Sequence, residues 1–365
     1  WLFYDFLGYT PSKFTDSGQP AVDGDALLGF GEVGQLLIKQ NDLVKEEGFI
    51  SQILDVSTAT GHVYGSYRLP GTLTGRLAAN SPNLQQMPKS AGLLECFTPR
   101  PGHVWVDCDH TALEQVVLAE LSKDRALWKL YGPTAPKNDV YLFTGANLPV
   151  IGEAIRAAGY DSDRPTPEGI ANAKKLAKNA RGIAKTVVLA SSYGAGAAKI
   201  AQTLRLQGVE ISDWDAQQIH KGYWDLYAGV KEYERFLRRE YRDRGGWVLN
   251  GIGRPLGVFR DYEKDLVNRV CQSTGSDLHT LWCYHWMDLL AERGIPWKGV
   301  VICWHDQSII EVPIDRAEEV RHLMGIEAYA RLNAQIGGAI PLRGEANIVR
   351  NLAEAKVEGY KYASA

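Results

Sequence analysis

Arg181, Lys185, Leu189 and Tyr193 recur at intervals of four. On an α-helix that interval stacks side chains along one face, with slow drift around the axis. Such a face carries two cations, then an apolar group, then a ring. Cations suit a polyphosphate and a ring suits a base, so the ladder matches a nucleoside triphosphate lying along a helix. Two carboxylates offer the complementary chemistry. Asp109 ends one strand-like run, and Asp306 falls 197 positions later between two others. Brought to ~4 Å, two such charges repel by about 1 kcal/mol even in bulk water. Divalent cations remove that repulsion, and Mg²⁺ takes one or two carboxylates plus substrate phosphates. Two such ions would activate a 3′-hydroxyl and stabilise a leaving pyrophosphate. Asp107 competes with Asp109, because both project from one strand face. His305 has the chemistry of a general base. Singly, each Asp reads as an ordinary turn residue.

Bringing these groups together is the task of the intervening elements. Residues 1–30 are rich in Gly, Pro and Asp and are predicted to be loop. Residues 31–58 carry Leu36, Leu37, Leu43 and Val44 among polar neighbours, which predicts a helix. Val63 to Arg68 alternates like a strand, and Gly71 to Lys89 is mostly loop. His103 to Asp109 predicts a strand, followed by a helix from about Ala112 to Leu121. Asp124 to about Arg244 is predominantly helical. Trp247 to Val258 has hairpin character, and Asp265 to Glu292 is a long helix. Val300 to Val312 is β-rich, interrupted by His305-Asp306. The order predicts an α+β core carrying a helical insertion.

At 365 residues the chain exceeds one compact core, so two or three subdomains are expected. Net charge is −3 and the pI is about 6.3, which argues against a uniformly basic surface. The distribution says more. From Ala171 to Val209 there are seven cations and no acid: Lys174, Lys175, Lys178, Arg181, Lys185, Lys199 and Arg205. A solvated helix face would normally mix both signs, so this run predicts anion binding. The five cysteines (Cys96, Cys108, Cys271, Cys283 and Cys303) are odd in number and lack CxxC spacing. They read as buried free thiols in a reducing compartment. No apolar run is long enough to cross a bilayer. The start at Trp1 lacks the features of a signal peptide and reads as the interior of a longer protein.

Further motifs fall in a fixed order. Thr74-Gly75-Arg76-Leu77 with Pro82-Asn83-Leu84-Gln85 comes first, then Asp109 with Glu114, then Arg181, Lys185 and Tyr193-Gly194. Gly253-Arg254, Asn268 with Gln272, and His305-Asp306 follow. This set resembles the polymerase region of family A DNA polymerases, from about residue 8 to 355. The resemblance implies a right-hand α+β fold with an antiparallel-sheet palm, helical fingers and a partial thumb. Residues 1–58 would be distal thumb, 59–124 and 246–365 palm, and 125–245 fingers. It implies two Mg²⁺ ions on Asp109 and Asp306, with the His110 carbonyl as a further ligand. Arg181 and Lys185 would hold the dNTP triphosphate, and Tyr193 would sit near the templating base. Glu114 would exclude a 2′-hydroxyl. Arg76, Asn83, Gln85, Arg254, Asn268, Gln272 and His305 would contact primer-template DNA.

The chain departs from this pattern in places. Leu189 stands where the family usually has Phe or Tyr, and Gln307 where it usually has Glu. Tyr141, in Asn138-Asp139-Val140-Tyr141, stands for a His that helps hold the triphosphate. Tyr9 to Asp16, Ala184-Lys185-Thr186, Tyr193 to Gly196 and Gly344 to Asn347 resemble phage replicative enzymes, so a role in the host cytoplasm is expected. A single-subunit RNA polymerase and an inactive DNA-binding subunit are the alternatives. Glu114 and the Thr74-to-Gln85 motif disfavour the first, and the intact Asp109, Asp306, Arg181 and Lys185 disfavour the second. No room is expected for a proofreading exonuclease within this chain.

Overall fold

The computed structural model describes residues 2–11, 14, 15, 17–57, 61–88, 92–192, 194–257 and 265–356. The first thirty residues are not all loop. A π-helical turn spans Leu2–Phe6, and α1 (Gly24–Leu28) precedes α2 (Gly31–Val56). Phe3, Leu27 and Phe30 form a small apolar cluster, with the Phe rings stacked at 4.1 Å. Local Gly and Pro content hides such a cluster, because it is built by three separated residues. Gly34 is the only buried residue in the described part of α2, while Leu36, Leu43, Val44 and Leu54 are exposed.

β1 (Ser66–Arg68) pairs antiparallel with β2 (Ala78–Asn80). The strand expected from Val63 is thus shortened to its last three residues. Its partner is equally short, and Pro82 just beyond it has no N–H for a ladder. β3 (His103–His110) leads into α3 (Leu113–Ser122). The helical insertion follows as α4 (Arg125–Tyr131), α5 (Val140–Ala146), α6 (Gly152–Ala157), α7 (Pro167–Leu176), α8 (Lys178–Ser192), α9 (Ala197–Leu206), α10 (Asp213–Leu226) and α11 (Ala228–Asp243). Asp124, Asp139, Thr166 and Ser212 cap four of these helices through side-chain oxygens. β4 (Trp247–Leu249) and β5 (Pro255–Gly257) form the expected hairpin, with Val258 outside the described residues. α12 (Leu266–Glu292) is about 40 Å long at 1.5 Å per residue. β6 (Val300–Trp304) and β7 (Gln307–Pro313) flank His305-Asp306. α13 (Ala317–His322), a π-helical turn at Leu323–Glu327, α14 (Ala328–Ile336) and β8 (Gly344–Val349) complete the fold.

The central sheet is antiparallel in the order β6-β7-β3-β8. Alternation along β3 decides what each face does. Val104, Val106 and Cys108 join the large core beneath, with Trp282, Trp286 and Leu290 of α12. Trp105 faces the other way, in a second cluster with Leu84, Leu94 and Trp304. Asp107 and Asp109 follow Trp105 on that side, towards the end of the strand. The large core also includes Leu142, Ile155, Val187 and Ile200, so sheet and helical insertion share one apolar interior.

No described helix is long and apolar enough to cross a membrane. All five cysteines are free thiols, but only Cys108, Cys271 and Cys303 are buried; Cys283 is half-buried and Cys96 exposed. Leu94 is the residue that its short turn turns inward.

Candidate active site

β3 and β7 pair so that Asp109 lies opposite Gln307. The His110 amide donates to the Asp306 carbonyl at 3.3 Å, which ties the β6–β7 turn to the end of β3. His305 in that turn has φ 56°, and Ala112 after β3 has φ 51°. Left-handed backbone at non-glycine residues is a strained state that accumulates at functional sites. Asp109 is exposed along one edge, but surrounding protein, followed by the Asp306 charge, pushes its carboxyl up to about 7. The Asp109 carboxylate at the end of β3 and Asp306 in the β6–β7 turn thus lie close enough for the Asp306 charge to act on Asp109.

Asp107 is a different kind of group. It is 4% exposed, and burial pushes its carboxyl up to about 7 against an opposing hydrogen bond from Gln307. The Gln307 amide donates to Asp107 Oδ1 at 2.7 Å and accepts from Lys356 Nζ at 2.8 Å. That ammonium lies 3.5 Å from the Trp304 ring centroid. Both ends of the Gln307 amide are thereby engaged away from an ion. Among the described residues, no three His, Cys, Asp or Glu side chains gather to cage a metal. Two carboxylates completed by substrate phosphates are the donor set Mg²⁺ takes, so the residues present fit that ion.

The His110 ring is 5% exposed and points into a polar chain under the sheet. The Tyr329 hydroxyl lies 2.6 Å from His110 Nδ1, and His110 Nε2 lies 3.0 Å from His279 Nδ1. His279 Nε2 reaches Ser308 Oγ at 3.2 Å. A single donor direction along Tyr329, His110, His279 and Ser308, in either sense, satisfies all three contacts with both imidazoles neutral. Burial holds His279 down to about 4 and His110 well below the usual histidine range. Any ligand role of His110 is left to its main-chain carbonyl. Nothing in the sequence marked His279 or Tyr329, because their partners are 169 and 219 positions away.

α8 carries Arg181, Lys185 and Leu189 as the four-residue interval predicts. The helix ends at Ser192, and Tyr193 lies outside the described residues. Leu189 is 45% exposed. The guanidinium of Arg181 lies 5.2 Å from the Tyr141 ring centroid, and the Lys185 ammonium 5.9 Å. Tyr141 thus gathers both cations. Arg181 is also bound by Asp139, 2.8 Å from Nη2 to Oδ2. Burial pushes the Asp139 carboxyl up, but Arg181 and the Leu142 amide outweigh it and hold it below its usual range. Lys174, from the same cationic run, approaches Asp139 Oδ2 at 3.3 Å.

The remaining groups line an open groove. Arg76, Asn83, Gln85, Asn268, Gln272 and His305 all border it. Arg76 forms an ion pair with Glu114. Asn83 caps the turn that carries Gln85, Gln85 donates to the Cys303 carbonyl at 3.1 Å, and Gln272 donates to Asn268 at 3.0 Å. Burial, followed by the Arg76 charge, lowers the His305 pKa. Arg254 does not line the groove. It is held behind Gly75 by Asp277 at 2.8 Å and the Thr74 carbonyl at 2.9 Å.

The family model for DNA polymerase family A matches residues 1–354. The DNA polymerase of Mycobacterium phage D29 is 28% identical over 92% of this chain and 50% of its own length. That of Bacillus phage SP01 is 24% identical over 97% of this chain and 39% of its own length. DNA polymerase I of Aquifex aeolicus is 25% identical over 85% of this chain and 50% of its own. The chain spans half or less of the length of these relatives. The POL domain of Pol1 from M. smegmatis, solved in complex with DNA primer-template and dNTP, matches with a TM-score of 0.78 at 20% identity. The match covers 97% of this chain and 60% of that one, and it shows the fold: a right-hand α+β architecture.

Proposed function

The chain belongs to DNA polymerase family A, and from that membership we propose that it copies a DNA template by extending a primer 3′-hydroxyl with dNTPs. The observation that carries this reading is geometric: the β3–β7 register and the His110 amide bond to the Asp306 carbonyl at 3.3 Å bring the β6–β7 turn that holds Asp306 to the end of β3 that holds Asp109. Asp109 and Asp306 would hold two Mg²⁺ ions, with the His110 carbonyl as a further oxygen donor. Bound there, the ions would supply positive charge to the attacking hydroxyl and the departing pyrophosphate.

The chain's own residues act by positioning, which is most of what phosphoryl transfer asks of a protein. Arg181 grips phosphate oxygens as a fork, and Lys185 adds a point charge. The Tyr141 ring keeps these two cations together and can donate a hydrogen bond, but it brings no charge of its own. Glu114, steadied by Arg76, fills the space a ribose 2′-hydroxyl would need. Arg76, Asn83, Gln85, Asn268, Gln272 and His305 border the groove we assign to primer and template, with Arg254 bracing its wall. Backbone and minor-groove contacts suit this task, because they are common to all correct base pairs. Tyr193 is assigned to the templating base on sequence grounds.

We assign residues 1–58 to a partial thumb, 59–124 and 246–365 to the palm, and 125–245 to the fingers. The likeness to two phage polymerases supports a role in phage DNA replication in the host cytoplasm. A solved relative bound to primer-template and dNTP supports the same partners here. Primer extension with Mg²⁺ tests the reading. The wild type should extend with dNTPs in preference to NTPs, and Asp306→Ala should fall to background. A wild type without Mg²⁺-dependent extension would overturn it.

A further inference from the structure

One carboxylate in the helical insertion holds a cation of the nucleotide site without being one of its expected ligands. Asp139 Oδ1 and Oδ2 accept from Arg181 Nε at 3.3 and 3.2 Å, and Oδ2 accepts from Nη2 at 2.8 Å. Oδ1 also accepts from the amides of Tyr141 and Leu142 at 3.1 and 3.0 Å. The Asp139 side chain is 8% exposed, whereas that of Arg181 is 28% exposed. The N-terminus of α5 and a side chain of α8 therefore converge on one buried group.

We propose that Asp139 is a positioning residue that presets the Arg181 guanidinium for a triphosphate. The naming of the ligand rests on the polymerase reading; the geometry does not. A carboxylate on the Nε–Nη2 edge fixes the plane of the fork and leaves the Nη1 side for another anion. An arginine held this way loses less rotamer freedom when phosphate arrives. The negative charge this introduces is offset by Lys174, 3.3 Å from Oδ2. Arg181 and Lys185 then remain as surplus cations over the Tyr141 ring. The alternative sign is also physical, because an anion beside Arg181 could compete with phosphate. The two signs predict opposite changes in affinity.

Asp139→Asn separates them, because it removes the charge and keeps the oxygen that caps α5. We expect KM for dNTP to rise roughly 3–10-fold with little change in kcat. Magnesium tripolyphosphate, titrated into the protein without DNA, should bind more weakly by a similar factor. In an Arg181→Ala background Asp139→Asn should add nothing further. Unchanged or tighter binding, or an equal loss in the Arg181→Ala background, overturns the inference. Thermal melts check that the variant is folded, and Asp139→Ser, which also caps, replaces it if it is not. A wild type that extends no primer, yet binds tripolyphosphate better than Asp139→Asn, would remove the polymerase reading and leave this one standing.

Discussion

Leu189 is the open position on a face whose other described rungs are cations, and it is 45% exposed. A ring there would cover the sugar and base of a nucleotide held by Arg181 and Lys185, and Leu covers less. Leu189→Phe and Leu189→Tyr are therefore expected to speed nucleotide incorporation about 2–10-fold, the range of an added aromatic contact. Pre-steady-state kinetics with dNTP and dideoxynucleotide would measure it; unchanged rates and unchanged sugar selectivity would count against the idea. The spacing of Arg181, Lys185 and Leu189 was legible in the sequence, because helix geometry alone puts them on one face. The grip of Asp139 on Arg181 was not, because it joins helices across 42 positions. Gln307 shows the same limit. Its neutrality could be read, but its engagement between Asp107 and Lys356 depends on the β3–β7 register.

At the scale of elements, α8 is held in place by its contact with α5. A Cβ added at Gly145 would meet Ile155 Cδ1 at 2.4 Å and Ala184 Cβ at 2.9 Å. The isoleucine tip can swing aside, but the alanine methyl moves only with α8. Gly145→Ala should therefore cost about 1–3 kcal/mol by overpacking, read as a lower Tm. It should also raise KM for dNTP, because Lys185 adjoins Ala184. A variant with unchanged Tm and KM would mean that α5 does not set the position of α8. β3, α8 and α12 were legible from local pattern: the alternation of β3, the four-residue interval on α8 and the unbroken helix-compatible length of α12. β8 and the helices before it carried no prediction. β1 fell short of its expected length, since strand length is decided by the partner.

For the whole molecule, ionisable groups are buried on both faces of β3, and they act on stability in opposite directions. His279 and His110 are held neutral, so the unfolded chain takes up protons near pH 6.5 that the native chain refuses. These two weaken the fold as pH falls from about 6.5 toward 4. Asp107, raised to about 7, contributes stability below its unfolded pKa of about 4, and loses it as pH rises through about 7. In chelator, Asp107→Asn is expected to be more stable than the wild type at pH 8, by on the order of 3 kcal/mol. That gain should be largely gone by pH 4. Melts that coincide at pH 8 would refute it. The order of the site motifs along the chain was legible; the burial that sets these pKa values was not, because it arises only when distant segments close over β3. The alternation of β3 has one more consequence. Between the turn at Gly102 and the carboxylate at Asp109, placement is stored as parity: even-numbered positions enter the large core, and odd-numbered ones take the side that carries Trp105, Asp107 and Asp109. Losing a single residue from that turn would reverse the parity. It would present Cys108 and His110 to the groove and bury Asp109, with every neighbouring side chain still present in the sequence.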